Sequence, residues 1–330
     1  MRDTMVSTEV IKNAVQLACR APSLHNSQPW HWVVEGSTVH LHRDKDRSLR
    51  STDHSGRETL LGCGAVLDHF RVAMAAAGWT AHVDRFPNPN NHLHLASIDF
   101  TPMELVTDGH RRRADAVLTR RTDRLPFDRL PNWPSVESQL RGAVTSDAVR
   151  LDVIADELRP ELAQASQLTE SLRLYDSYYH AELDWWTGHF ETREGIPRSS
   201  LVSASEGDRV DVGRNFPVAA TGDRRIGVDH DHSTILVLST YDNESLSVLQ
   251  CGEMLSAVLL EATMAGLATC TLTHITELEA SRHIVATLID QTTTPQVLVR
   301  VGLVSELEGL PPPTPRRPMS EVFEVRSTDR

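Results

Sequence analysis

Two segments far apart in the chain share one pattern, and this internal repeat constrains the fold more than any other sequence feature. The first is LGCGAVLDHFRVAMAAAG at residues 61–78, and the second is LQCGEMLSAVLLEATMAG at residues 249–266. They align without a gap at an offset of 188 residues, from 61 to 249. Apolar residues at helical spacing and a final glycine predict a core helix followed by a turn in each segment.

Each predicted helix is followed by a strand-like run, HLHLASIDF at residues 92–100 and PQVLVRVGL at residues 295–303. Equivalent elements in the same order indicate a duplicated structural unit. Three further elements are predicted: a helix from Ser7 to Ala21, a hairpin at 31–44 and a buried strand at 234–240. The chain is therefore predicted to be an α+β protein in which helices pack on sheets.

The overall charge limits the kinds of partner that the chain can bind. With 33 basic and 45 acidic residues its formal net charge is −12, so its field repels nucleic acid and anionic membranes. We expect no membrane-spanning segment, because no apolar run approaches about 18 residues, and we expect a cytoplasmic protein. The 4 cysteines are widely spaced and signal neither a zinc site nor a disulfide framework.

An arginine-rich segment, HRRRADAVLTRRTDRLPF at residues 110–127, has no counterpart in the other half. If RTDR leaves its helix in extended form, Arg120, Thr122 and Arg124 point to one side, because side chains alternate along an extended chain. Two guanidinium groups beside a hydroxyl suit a phosphate or a polyol. The same arginines would also be compatible with a solvated surface, which is the usual setting of a charge cluster.

A second unpaired segment, PPPTPRRPM at residues 311–319, lies near the C-terminus. Its prolines fix φ and hold Arg316 and Arg317 in an extended arrangement. A phosphate monoester carries about −1.5 to −2 charges near neutral pH, so two or three arginines can neutralise it. A linker or a solvent-facing edge is the alternative interpretation of this composition.

Four segments in order resemble the flavin-dependent nitroreductase family. They are APSLHNSQPW at 21–30, similar to the family's PSxxNxQPW; RRTDRLPF at 120–127, similar to RRSxRxF; MAGLATCTLTHI at 264–275, similar to LGLGTCPIGGF; and TPRRPMSEV at 314–322, similar to KxRxPLEEV. These segments span almost the whole chain. The arginine-rich, lysine-poor pattern is most similar to the Acg-like subgroup of mycobacterial NAD(P)H nitroreductases.

The resemblance implies the nitroreductase fold, a central β-sheet flanked by helices, which normally forms a homodimer with FMN at two subunit interfaces. In that family one subunit supplies RRSxRxF and KxR to a site and the other supplies PSxxN. Here each of these segments occurs once. We therefore expect two fused nitroreductase-like halves, residues 1–112 and 113–330, that form an intramolecular pseudo-dimer with a single FMN site in a monomeric protein. A polar segment at about 185–231 is expected to be a lid-like insertion or a plain surface loop.

The resemblance also implies which positions contact FMN. They are Pro22, Ser23, Asn26, Arg120, Thr122, Arg124, Thr273, His274, Arg316 and Arg317. Arg120, Thr122 and Arg124 would contact the phosphate, the ribityl chain and the ring edge, and Arg316 would also contact the phosphate. Pro22, Ser23 and Asn26 would pack on the flavin from the opposite half.

Two departures from the family pattern affect the predicted site. Thr314 replaces the lysine of KxR, which removes one positive charge unless Arg317 compensates for it. Thr273 and His274 replace the usual small residues beside the flavin ring. The imidazole of His274 could narrow the space for nicotinamide, donate a proton or form part of the wall.

Two functions follow from the resemblance. The first is NAD(P)H-dependent reduction of nitroaromatics or quinones through FMN, in which protein residues position the ring and Arg124 stabilises its reduced form electrostatically. The second is a non-catalytic protein that stores or sequesters FMN under a lid. No metal site is predicted, because the DHDH run at 229–232 offers ligands from one short loop, which rarely close a coordination sphere.

Overall fold

The structure is a computed structural model of the chain, and it describes residues 5–188, 194–218, 222–304 and 313–326. Its helices in this part of the chain are α1 Thr8–Ala18, α2 Arg57–Ala76, α3 Asp108–Thr119, α4 Trp133–Ala143, α5 Arg159–Arg173, α6 Ser177–Trp186, α7 Ala204–Asp208, α8 Ser245–Met264, α9 His274–Glu277, α10 Glu279–Leu288 and α11 Met319–Val322. Its strands are β1 Trp30–Glu35, β2 Thr38–Arg43, β3 Trp79–Arg85, β4 His94–Pro102, β5 Val149–Val153, β6 Thr234–Thr240, β7 Ala268–Leu272, β8 Thr294–Gly302 and β9 Phe323–Arg326.

The two helices of the internal repeat are confirmed as α2 and α8, each 20 residues long. Each is followed by a glycine at positive φ, +87° at Gly78 and +74° at Gly266. Glycine adopts this left-handed conformation without a steric penalty, which explains why both copies of the repeat end in glycine. The N-terminal helix also begins where predicted, since Ser7 Oγ accepts a hydrogen bond from the Val10 amide at 3.3 Å, although it ends before Ala21.

The strands form two sheets with the same internal order. The first is ordered β3-β4-β2-β1-β9, and the second, taken in the same sense, is ordered β7-β8-β6-β5. The predicted strands at 92–100 and 295–303 are β4 and β8, and the predicted hairpin is β1 and β2. The sequence analysis did not identify β3, because it is an edge strand whose alternate residues are exposed and mostly polar.

The last strand connects the C-terminal segment with the first sheet. β9 pairs in parallel with β1, with Phe323 opposite Trp32. Residues 313–326 therefore extend from the second half of the chain to the edge of the first sheet. The predicted boundary between residues 112 and 113 falls within α3 and stays a prediction.

The repeated helices α2 and α8 pack against each other with reciprocal contacts. A side chain at Gly64 would collide with the Leu249 carbonyl, and one at Gly252 would collide with the Leu61 carbonyl. The two glycines are equivalent positions of the repeat, 188 residues apart, and so are the two leucines. Asp68 and Ser256 are also equivalent positions, and Ser256 donates a hydrogen bond of 2.6 Å to Asp68. Contacts in which i meets j and j meets i are typical of a twofold interface.

One helix meets the length and hydropathy criteria for a membrane span. α8 is long and apolar enough to cross a membrane, since an 18-residue window within it reaches a mean hydropathy of 1.2. However, 78% of that window is buried inside the protein, and the helix packs on α2 and on strands of the second sheet. Its apolar composition is that of a core helix buried on all sides.

Candidate functional site

Two joined cavities lie between residues from the two halves of the chain. The larger has a volume of about 370 Å³ and the smaller about 90 Å³. The residues that line both cavities, and so mark where they meet, are Pro22, Ser23, His25, Thr122, Arg124 and Ile196. The larger volume lies within the range of small-molecule sites, and the smaller one has room for several water molecules or one compact polar group.

The segment between α1 and β1 forms a strained turn at this junction. His25, Asn26 and Gln28 have φ angles of 51°, 58° and 51°, a conformation that residues other than glycine rarely adopt. Ser23 Oγ accepts a hydrogen bond of 3.0 Å from the Gln28 amide and closes the turn. Trp30 then enters the sheet and is fully buried, as expected for a core residue. Such strain persists where surrounding contacts impose it, often at functional sites.

Asn26 links this turn to two distant segments through side-chain hydrogen bonds. Its Nδ2 donates hydrogen bonds of 3.0 Å to the carbonyls of Gly195 and Pro315, and its Oδ1 accepts one of 3.1 Å from Arg316. It lines only the smaller cavity. The structure therefore brings the predicted residues Asn26 and Arg316 together, although Asn26 is largely occupied with protein partners.

Five arginines line the smaller cavity, namely Arg20, Arg120, Arg121, Arg124 and Arg316. For four of these arginines, Arg20, Arg120, Arg124 and Arg316, the described part of the chain contains no carboxylate ion-pair partner. The hydrogen bonds of these guanidinium groups go to carbonyl and amide oxygens: Arg120 donates to the Arg20 carbonyl at 3.3 Å, and Arg316 donates to the Cys19 carbonyl at 2.9 Å. The Nε atoms of Arg20 and Arg120 are buried without a hydrogen-bond partner among the described residues.

Burial makes the charge of this cluster costly. It lowers the pKa of Arg316 to about 9 and the pKa of Arg120 to about 10, and the neighbouring guanidinium groups lower both pKa values further. The pKa values of Arg20 and Arg124 are also lowered, chiefly by burial. With pKa values of about 9 and about 10, Arg316 and Arg120 stay protonated at neutral pH, and they carry this charge without a carboxylate partner in the described part of the chain.

The predicted residues Thr273 and His274 line the larger cavity. His274 is fully buried, its Nε2 lies 2.8 Å from Ser166 Oγ, and its Nδ1 has no partner among the described residues. Burial lowers the pKa of His274 well below its usual value, and Arg214 lowers it further, so the imidazole is neutral at pH 7. Thr273 Oγ1 accepts a hydrogen bond of 3.2 Å from Arg214.

Described residues of the polar segment at 185–231 line the larger cavity. Its contributions to the wall are mostly apolar and include Ile196, Val202, Val210, Phe216 and Val218. Two contacts hold it against Arg124, which donates to the Ser200 carbonyl at 3.3 Å and lies over the Phe216 ring at 5.0 Å from its centroid. Residues 189–193 and 219–221 of the segment lie outside the described part of the chain.

One predicted site residue is not brought to the cavities. Arg317 lines neither of them, because its guanidinium donates to the Gln28 carbonyl at 3.0 Å and to Asp44 at 3.2 Å. It therefore does not replace the charge missing at Thr314, which does line the smaller cavity. Arg20 supplies a charge there instead, and sequence reasoning missed it because a single arginine after a helix has no distinctive pattern.

The DHDH run is a surface feature at some distance in sequence from these motifs. Ligand atoms of Asp229, His230 and His232 lie within 4.8 Å of one another, but Asp229 and His230 are exposed. The neighbouring Asp231 is buried and pairs with Arg300 at 2.6 Å. The run thus combines a structural ion pair with an exposed cluster and lines neither cavity.

Comparisons with known proteins agree with the resemblance, although no family-level sequence model matches the chain. A Mycobacterium tuberculosis protein named "Putative NAD(P)H nitroreductase acg" is 73% identical over 100% of this chain and 99% of its own length. A nitroreductase crystal structure from Anabaena variabilis matches at a TM-score of 0.50 and 8% identity, covering 89% of this chain and 73% of that one. The FMN-dependent nitroreductase NfnB of Mycobacterium smegmatis, solved with NADPH, matches at a TM-score of 0.40 and 13% identity over 68% of this chain and 99% of that one.

The predicted α+β class and nitroreductase fold are thereby confirmed. Since identity of 73% over the full length exceeds what a shared fold alone requires, the chain belongs to the NAD(P)H nitroreductase family.

Proposed function

We propose that the two joined cavities hold FMN and that the protein is an NAD(P)H-dependent reductase of nitroaromatics or quinones. The observation that carries this proposal is a set of four arginines at the smaller cavity, Arg120 buried and Arg20, Arg124 and Arg316 half-buried, that have no carboxylate partner among the described residues. A phosphate monoester carries about −1.5 to −2 charges, and it would supply the counterion that the cluster lacks. Buried charges are otherwise paired in folded proteins.

The donors present fit this cofactor. Arg20, Arg120 and Arg316 would hold the phosphate, since the unpartnered Nε atoms of Arg20 and Arg120 can still donate. The larger cavity offers apolar walls and a few polar groups, which suits a planar ring with polar edges. Thr122 and Arg124 line both cavities and would contact the parts of the ligand between ring and phosphate.

When bound, FMN supplies the hydride and electron chemistry that no amino-acid side chain provides. The residues of this chain have other tasks. Arg124 adds positive charge beside both cavities and favours a ligand that gains negative charge. Ile196, Phe216 and Val218 exclude water from the larger cavity with their apolar side chains.

The single-site arrangement is part of the proposal. The reciprocal crossing of α2 and α8 and the matching sheet orders support two fused halves, 1–112 and 113–330, acting as a pseudo-dimer within a monomer. The 188-residue offset relates Thr273 to Arg85. Arg85 makes two hydrogen bonds of 2.7 Å to Glu253, which is 1% exposed, so a buried ion pair replaces the small threonine in the other half.

A second candidate function is favoured by the segment at 185–231. This segment contacts Arg124 through Ser200 and Phe216, and His274 adds bulk to the wall of the larger cavity. A cavity closed in this way could retain FMN while excluding nicotinamide. The protein would then store or sequester FMN without turnover.

Anaerobic mixing of the yellow holoprotein with NADPH or NADH separates the two functions. Prompt bleaching of the flavin absorbance is expected for the reductase. Persistent colour with both nucleotides, followed by bleaching with dithionite, would support storage instead, because the flavin would be reducible but inaccessible to nicotinamide. Purified protein that binds no added FMN would overturn both functions.

A further inference from the structure

His25 stands at the junction of the two cavities and has no hydrogen-bond partner in the described structure. It lines both cavities, it is 5% exposed, and neither Nδ1 nor Nε2 has a partner. Most buried side-chain polar atoms in proteins have a partner, so two orphaned nitrogens on one ring are unusual. Because the ring also lines both cavities, its two nitrogens are placed to meet a ligand bound there.

The backbone holds His25 in this place at a steric cost. Its φ of 51° lies in the left-handed region, and its neighbour Asn26 shares that conformation. The imidazole meets the Phe216 ring edge-on at a centroid distance of 6.1 Å, so the segment at 185–231 fixes it from the other side. Strain of this kind is maintained where a side chain must point in one direction.

The charge state of His25 limits what it can bind. Burial lowers its pKa well below the usual value, and the cations Arg214 and Arg124 lower it further. The ring is therefore neutral at pH 7, with one nitrogen that donates and one that accepts. A phosphate offers only acceptors at this pH, so it would leave the accepting nitrogen unsatisfied and would gain more from the arginines.

We propose that His25 is a specificity-determining residue that recognises the hydroxylated chain joining the phosphate to the planar ring of the ligand. A hydroxyl group both donates and accepts, so a polyol can satisfy both ring nitrogens in either tautomer. Such a chain connects a group in the smaller cavity with one in the larger, and His25 lines both. This inference rests on the proposed FMN site. It adds His25, a variable position of the PSxxN segment, to the positions Pro22, Ser23 and Asn26 that the family resemblance implies.

The test measures how three ligands bind to His25 variants of the full chain. FMN, riboflavin and lumiflavin share the ring; riboflavin lacks the phosphate, and lumiflavin has a methyl group in place of the whole chain. His25→Phe keeps the ring shape and removes both nitrogens. His25→Asn keeps a donor and an acceptor and tolerates positive φ. Each dissociation constant is obtained by titration of flavin fluorescence.

We expect His25→Phe to weaken FMN and riboflavin by the same factor, about tenfold, as for loss of one or two hydrogen bonds. Lumiflavin affinity should be unchanged, and His25→Asn should bind all three ligands within about threefold of wild type. His283→Phe is the control. His283 is exposed on α10 and lines neither cavity, so its replacement should leave all three affinities unchanged.

Several results would overturn the inference. A loss confined to FMN would assign His25 to the phosphate, and an equal loss for lumiflavin would assign it to the ring or to cavity shape. Unchanged FMN binding in His25→Phe would remove the residue from recognition while leaving the FMN site intact. Failure of the wild-type protein to bind FMN would overturn this inference and the proposed function together.

Discussion

Replacing Arg120 with glutamine should make the ligand-free protein more stable and its ligand binding weaker. Arg120 is 6% exposed and makes one hydrogen bond of 3.3 Å, to the Arg20 carbonyl. Burial lowers its pKa from the ordinary value of an arginine to about 10, with Arg20 adding to the effect. At about 1.36 kcal/mol per pKa unit, keeping this charge in the folded protein costs roughly 3 kcal/mol.

The sign of this cost follows from proton linkage. Because the folded pKa lies below the unfolded one, the destabilisation is fully present below about pH 10 and is relieved as the pH rises from about 10 towards 12.5. At pH 7 the glutamine variant does not carry the cost of the buried charge, although its buried amide still requires hydrogen-bond partners. We expect a net gain of about 1–2 kcal/mol in the free energy of unfolding of the apoprotein.

Binding should change in the opposite direction. A hydrogen bond to a charged group contributes about 1.5–3 kcal/mol, so Arg120→Gln should raise the Kd for FMN by roughly 10- to 150-fold. Saturating FMN stabilises wild type through mass action more than it stabilises the variant, which should reduce or reverse their order of stability. Urea unfolding with and without FMN, together with fluorescence titration, measures both effects.

Arg112→Gln is the control, because Arg112 is an exposed residue on the same helix α3. It should change neither stability nor affinity by more than about 0.5 kcal/mol. An Arg120→Gln apoprotein that is less stable than wild type, with unchanged FMN affinity, would refute the argument. Arg120 would then be a structural residue, and the cluster would not be an anion site.

Two further predictions concern the frame of the protein. Gly64→Ala should lower the free energy of unfolding in urea by more than about 3 kcal/mol or prevent folding, because the new Cβ meets the Leu249 carbonyl where α2 and α8 cross. The control is Gly142→Ala, which has open space around it in a helix and should be neutral or stabilising. Equal effects of the two substitutions would contradict the close helix crossing. Asp231→Asn should cost about 3–5 kcal/mol at pH 7, because it leaves the buried Arg300 unpaired. In the folded protein the pKa of Asp231 is lowered to about 2, so wild type should lose its greater stability over the variant as the pH falls from about 4 towards 2. A difference in unfolding free energy between the two proteins that stays constant over this pH range would contradict the ion pair.

Sequence alone was sufficient where a signal is local and periodic. The repeated helices, their terminal glycines, the cap at Ser7 and the hairpin at 31–44 all depend on residues a few positions apart, and the structure contains each of them. The family resemblance depended on short segments in order, and the full-length relative confirms it. Conversely, the edge strand β3 was missed, because its alternating exposed residues give little apolar signal.

The composition of the site depended on contacts between distant segments. Arg20 precedes one predicted motif and Arg317 belongs to another, yet Arg20 lines the smaller cavity while Arg317 donates a hydrogen bond to Asp44. The segment at 185–231 has no strong periodicity, and only the structure shows that Ser200 and Phe216 of this segment contact Arg124 beside the cavities.

The sequence by itself determined the duplicated helix and strand unit, the family and most of the residues near the site, because these follow from spacing along the chain. Only the tertiary structure decided which arginines share a cavity without a counterion, and that His25 faces both cavities with no partner. The reason is physical: the cost of a buried charge or an unsatisfied nitrogen depends on what surrounds it in space, and those surroundings come from segments separated by as many as 297 residues.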